Sequence, residues 1–214
     1  MTQQERQARS RELICQAALE EFGTHGYDAV NMERICAGHG ISKGMMYHYY
    51  SNKDELFLAC VEHTFSELKA RIEQDIKDLP QGDVLNAIKD YFLIREYYFE
   101  LHPLEKGIFE TAMLHTPETL RAQITVLRTP LRKLNHSFLV EQFSRVTLRE
   151  GLDRKKVIRY LESMEPLFGR LLRAYRAEGE SLDLHSMLTC AEELLEFLLL
   201  GILQPGAAQG PTEL

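Results

Sequence analysis

Residues 41–57 read ISKGMMYHYYSNKDELF, and their reading decides the fold. The first ten hold a lysine, a glycine, two methionines, a histidine and three tyrosines. That mixture is too polar for a buried core and too aromatic for an ordinary solvated face. Working outward, Asn31 is an N-cap for a short helix over 32–37, GHGIS (38–42) is a tight turn, and Ser42 caps the next helix, KGMMYHY. Ser51 with Asp54, and Asn52 with Glu55, offer two overlapping capping boxes for a long helix beyond. Two short helices joined by a glycine-containing turn are the signature of a helix-turn-helix, whose second helix enters the DNA major groove.

The residue types suit that task. Lys43 reaches a guanine or a phosphate, Gly44 lets the backbone approach closely, and Met45 offers apolar contact to a thymine methyl. Tyr47, His48 and Tyr49 supply short donors near the DNA backbone. Lys53, at the start of the next helix, joins its ammonium to helix N-terminal amides as a phosphate clamp. Met46 and Tyr50, four apart on one face, are expected to point inward.

Residues 9–57 resemble the N-terminal domain of the TetR (tetracycline-repressor) family of bacterial regulators, in ALEEFGTHGYDAV followed by NMERICAGHGISKGMMYHYYSNKDELF. The family pattern has a small or β-branched residue at Met45, leucine at Met46 and phenylalanine at Tyr50. The first departure falls on a base-reading position, so no relative's operator sequence carries over. The resemblance implies a cytoplasmic, ligand-responsive repressor, not an enzyme, that binds duplex DNA as a homodimer and uses no cofactor. Its fold would be all-α, of about nine helices. Residues 1–53 would form a three-helix DNA-binding domain, with the helix-turn-helix at about 31–50. Residues 54–204 would form a helical ligand-binding and dimerisation domain, and 205–214 a disordered tail.

The rest of the 214-residue chain is compatible with this. Residues 1–53 hold six basic and six acidic residues, so the net charge of −7 lies wholly in the remainder and a polyanion partner fits only the N-terminal end. Cysteines 15, 36, 60 and 190 are scattered, which reads as reduced thiols rather than a disulfide framework. Cys36 and His39 lack the further ligands of a closed metal site, so no metal is expected. There is neither an apolar signal-peptide core nor a run of the ~20 apolar residues that span a bilayer.

Helical periodicity dominates throughout. Leu13, Ile14, Ala17, Ala18 and Phe22 form a stripe ended by Gly23 and Gly26; Phe57, Cys60, Val61, Phe65, Leu68, Ile72 and Ile76 form another. Further helices are expected over 84–101, 104–115, from Thr116-Pro117 to about 146, 154–178 and 184–203, with Pro130 and Pro166 kinking or splitting theirs. Under the resemblance, 84–178 houses an effector site, for which Phe92, Arg95, Phe99, Phe109, Phe138 and Met164 are the candidates. Arg95 lies on the apolar stripe Leu85, Ile88, Phe92, Arg95, Phe99, either as half of an interior or interface ion pair with a glutamate or as an anchor for an anionic ligand. The last two helices would supply the dimer face: Leu171, Leu172 and Tyr175, then Met187, Leu188, Ala191, Leu194, Leu195, Leu198 and Ile202. Two readings of other classes stand beside this one: a helical adaptor that binds protein through the aromatic stretch, and a small helical enzyme. The second has no defensible catalytic triad or phosphate loop.

Overall fold

The computed structural model describes residues 2–79, 84–179 and 182–202, with the side chains of 161, 164–166, 169, 173, 176 and 202 not included. The tail expected at 205–214 lies outside the described residues, as do the side chains of Met164 and Ile202. Among the described residues the chain is all helical, with ten α-helices and no strand: α1 (Gln3–Ala29), α2 (Met32–His39), α3 (Lys43–Tyr49), α4 (Lys53–Asp75), α5 (Val84–Leu101), α6 (Pro103–Leu114), α7 (Arg121–Leu127), α8 (Thr129–Ser144), α9 (Arg154–Ala177) and α10 (Leu184–Ile202).

Local chemistry fixes most helix ends. Thr2 and Glu5 close a capping box at the start of α1. At its other end Gly26 takes φ 74°, a conformation that costs a residue with a Cβ. Gly23, expected to help end the helix, stays helical instead. Its bare Cα lets α6 pass at backbone distance: a Cβ there would lie 2.5 Å from the Leu104 carbonyl oxygen, and one on Gly107 would lie 2.1 Å from the Gly23 carbonyl oxygen. Thr116 also departs from expectation. Its hydroxyl donates back to the Ala112 carbonyl at 2.5 Å, so it finishes α6 rather than capping a new helix. A 3-10 turn at Glu118–Leu120 follows, and the segment is broken again just before Pro130, between α7 and α8. Pro166 does not split α9, which runs through it from Arg154 to Ala177.

Two compact units result, and they do not follow chain order. The first comprises the described residues among 1–68 and 99–129; the second comprises those among 69–98 and 130–202. Within the first unit α6 packs on α1. The first unit's core holds Ile14, Ala18 and Phe22 of α1, Ile35 of α2, Met46 of α3, and Leu56, Phe57 and Val61 of α4, all fully buried. Each such large side chain contributes roughly 1.5–3 kcal/mol through lost water contact. Phe57 packs edge-on to Phe22, with ring centroids 5.2 Å apart, and lies against Tyr27 at 5.0 Å. Leu13, the first residue of the expected stripe, is half exposed. Phe65, Phe109 and Phe99 form a second aromatic group in the same unit. In the other unit Tyr91 stacks on Phe138 at 4.0 Å and 10°.

Candidate DNA interface

α2 and α3 are each anchored at both ends. The Asn31 side chain accepts from the Arg34 amide at 2.8 Å, and the Ser42 hydroxyl from the Met45 amide at 3.1 Å. Asn31 and Ser42, which the sequence offers as N-caps and as candidate DNA contacts, both make their caps. Between the helices Gly40 takes φ 64°, and the Ile41 amide reaches back to the Cys36 carbonyl at 3.0 Å. That left-handed residue turns the chain sharply, as a helix C-terminus commonly requires of glycine. At the foot of α4, Asn52 caps the Glu55 amide at 2.9 Å, and the Glu55 carboxylate accepts from the Ser51 amide at 2.8 Å. The expected Ser51/Asp54 box is not made, because Asp54 instead accepts from the Tyr27 hydroxyl.

This framework holds α3 with one face in and one face out. Met46 is fully buried and Tyr50 nearly so, with its hydroxyl 3.2 Å from the Cys15 sulfur, as the four-residue spacing indicated. Ser42, Lys43, Gly44, Tyr47 and His48 are exposed, while Met45 and Tyr49 are half-buried. A Cβ on Gly44 would meet no protein atom within 4 Å, so nothing in the fold demands glycine there. The open space it leaves is on the outer face. Lys43 and Tyr47 both reach Glu33 of α2, at 3.6 and 3.4 Å. Exposed pairs of this kind contribute little, so a phosphate can take Lys43 over. His48 packs edge-on to Tyr49, and Arg11 of α1 lies 5.6 Å from the Tyr49 ring centroid. Arg11 was not singled out in the sequence, since only the packing of α1 on α3 brings it there. An open groove of about 550 Å³ runs beside them, lined by Gln4, Gln7, Arg11 and Glu12. Lys53 is partly engaged: its ammonium donates to the Tyr27 carbonyl at 3.0 Å and sits 3.9 Å over the Tyr27 ring. It retains two further N–H donors.

α2 is tied to α1 through Glu21. This carboxylate accepts from Arg34 Nε at 2.6 Å and lies 3.4 Å from His39 Nε2. Burial alone would raise its pKa, but the Arg34 hydrogen bond and charge, with His39, hold it below the ordinary value. A carboxyl whose folded pKa is depressed stabilises above the unfolded pKa and loses that contribution as pH falls through the folded one. Thermal melts from neutral pH down to about pH 3 should therefore show the parent losing more stability on acidification than Glu21→Gln. Parallel curves would remove Glu21 from the account.

Of the effector-site candidates, Phe92, Arg95 and Phe138 lie in one compact unit; Phe99 and Phe109 lie in the other, against Phe65. Arg95 is only 5% exposed, yet it has no ion pair with any described residue. The interior ion pair is thus replaced by neutral partners: the Tyr91 carbonyl at 2.6 Å and Asn135 Oδ1 at 2.7 Å. Asn135 went unnoticed in the sequence, because a hydrogen-bond partner 40 positions away leaves no periodic signal. On the last two helices, Leu172, Met187, Leu188 and Leu195 are buried within the single chain. Leu171, Tyr175, Ala191, Leu194 and Leu198 are half-buried. The large apolar side chains that stand out are others: Tyr160 and Leu167 on α9, Phe197 (74% exposed) and Leu200 on α10.

Known proteins fit this geometry. Residues 14–60 match the model of the bacterial regulatory proteins, tetR family. The chain is 27% identical over 110 residues to the HTH-type transcriptional repressor NicS of Pseudomonas putida, an alignment covering 50% of each chain. It is 21% identical to the fatty acid metabolism regulator protein of Bacillus subtilis, over 88% of this chain and 93% of that one. Among solved structures, the fatty acid degradation regulator FadR from Bacillus halodurans has the same fold, with a TM-score of 0.60 at 18% identity over 87% of this chain and 94% of that one. Residues 14–60 thus carry the DNA-binding segment of the tetR family of bacterial regulatory proteins, and the all-helical chain shares the fold of a solved regulator.

Proposed function

We propose that the protein is a transcriptional repressor that binds a two-fold-symmetric DNA operator as a homodimer and is released by a small apolar or aromatic effector. The observation that carries the DNA half is α3 itself: a helix capped at Ser42, rooted by Met46, and bare of side chain at Gly44 on its outer face. DNA as the partner sets its work in the bacterial cytoplasm, and the named relative NicS is a repressor. Among the described residues no helix is long and apolar enough to cross a membrane. The test is selection from random duplexes by the full chain: a palindromic consensus bound with a 2:1 protein-to-duplex stoichiometry supports the reading, and no enrichment opposes it.

The dimer is assigned to the apolar face left open on α9 and α10. Tyr160 and Leu167, seven apart, share one face of α9; Phe197 and Leu200, three apart, share one face of α10. Two-fold symmetry would place two α3 helices about 34 Å apart, in successive major grooves. Phe197→Glu with Leu200→Glu is expected to give a folded monomer by light scattering. Leu195→Glu, by contrast, buries a carboxylate in the protomer core and is expected to lower the melting temperature whatever the oligomeric state. A double variant that stayed dimeric would move the interface elsewhere.

Release requires the effector to prefer one conformation over another. α4 begins beside α3 and contributes to both compact units, which suits it as the lever between body and DNA-binding helices. Coupling is reciprocal, so operator DNA should weaken effector binding by the factor that effector weakens DNA binding, typically ~5- to 150-fold.

A further inference from the structure

Arg95 is a cation sealed in an apolar setting without a counter-charge among the described residues. Its guanidinium carbon lies against two rings, 4.3 Å from the Tyr91 centroid and 5.4 Å from the Phe92 centroid. Its edges are only partly used, with Nη1 donating to the Tyr91 carbonyl and Nη2 to Asn135 Oδ1. Glu96, its neighbour on α5, faces His185 Nδ1 at 2.7 Å instead. Asn135 is oriented by what it accepts: Oδ1 takes both Arg95 Nη2 and the Tyr91 hydroxyl, the latter at 2.6 Å. Two donors on one atom identify it as the oxygen, which leaves the amide nitrogen with two hydrogens to give. That nitrogen has no partner among the described residues, and Asn135 is half-buried, so the cluster opens to solvent on the α8 side.

We infer that Arg95 and Asn135 form a seat for the carboxylate of an apolar or aromatic effector. The inference rests on the effector-responsive reading above and names the chemistry of its ligand. Every unused group in the cluster is a donor, which selects an anion. A guanidinium presents its N–H donors in a fixed planar fork, which suits a planar carboxylate bound edge to edge. The Tyr91, Phe92 and Phe138 rings call for an apolar tail, and a single cation matches a single charge. A phosphate brings more charge than the site balances.

The test uses the full chain with benzoate, phenylacetate and octanoate, each against its primary amide, and with inorganic phosphate, by calorimetry and thermal melts. At least one acid is expected to bind about tenfold or more tightly than its amide, because a hydrogen bond to a charged group is lost in the amide. Phosphate alone is expected to have no effect. Arg95→Met should abolish the preference for acid over amide. Asn135→Asp supplies the missing charge internally, so it should raise the melting temperature without ligand and eliminate carboxylate binding. This second variant decides the matter should Arg95→Met fail to fold. Equal binding of acids and amides, no binding by any acid, or a lowered melting temperature in Asn135→Asp each overturns the seat. Duplex DNA binding is measured on the same parent preparation. Intact DNA binding without carboxylate binding sinks the seat alone; carboxylate binding without DNA binding supports the seat and sinks the repressor reading.

Discussion

Gly107→Val is expected to be the most destabilising single substitution described here, with a loss above the roughly 1–3 kcal/mol usual for an overpacked core. The reason lies in what its Cβ would strike. The nearest atom is the Gly23 carbonyl oxygen at 2.1 Å, followed by the Gly23 carbonyl carbon at 2.9 Å. These are backbone atoms of a helix, which cannot rotate away as the tip of a side chain can. α1 and α6 would have to separate, and α1 carries Ile14, Ala18 and Phe22 in the core against which α3 is set. The better helix propensity of a residue with a Cβ, worth at most ~1 kcal/mol, does not offset this. Marginal stability of roughly 5–15 kcal/mol leaves little room. Gly107→Ala should show the same effect in milder form, since its single methyl occupies the position that clashes. Denaturant unfolding measures both, and a Gly107→Ala midpoint equal to the parent's would contradict the close crossing.

Gly44→Glu is expected to do the opposite: leave the fold intact and remove DNA binding by about a hundredfold or more. No protein atom lies within 4 Å of the added Cβ, the position is in the first turn of α3, and an acid there suits the helix dipole. Melting temperature should hold or rise slightly. Against DNA, the same carboxylate sits on the outer face beside Lys43, occupies the space left for close approach, and repels phosphate. Unchanged affinity would mean that α3 does not face DNA.

The two glycines illustrate what was legible in the sequence. The turn at Gly40, the caps Asn31, Ser42 and Asn52, and the inward pair Met46 and Tyr50 depend on neighbours within four residues, and all are as expected. Gly23 looked like a helix end because glycine usually is one; its actual use depends on Gly107, 84 positions away, which no local pattern reveals. Thr116 next to a proline looked like an N-cap for the same local reason, and the Ala112 carbonyl claimed it. The leucines of α10 are apolar on nearly every side, so periodicity could not tell Leu195, turned into the protomer, from Phe197, turned out. Arg95 was visible as a charge on an apolar stripe, but Asn135, which turns it from an ion-pair candidate into an anion seat, was not.

The central claim is that α3 reads duplex DNA, and the most direct measurement is anisotropy titration of a labelled duplex selected by the parent. Parent and Gly44→Glu are titrated between about 50 and 200 mM salt. The account predicts a linear fall of log affinity with log salt for the parent, reflecting counterion release from phosphates contacted by Lys43, Lys53 and their neighbours. It also predicts that a folded Gly44→Glu protein has lost the binding. A parent affinity that ignores salt, or a Gly44→Glu protein that binds as the parent does, would contradict it.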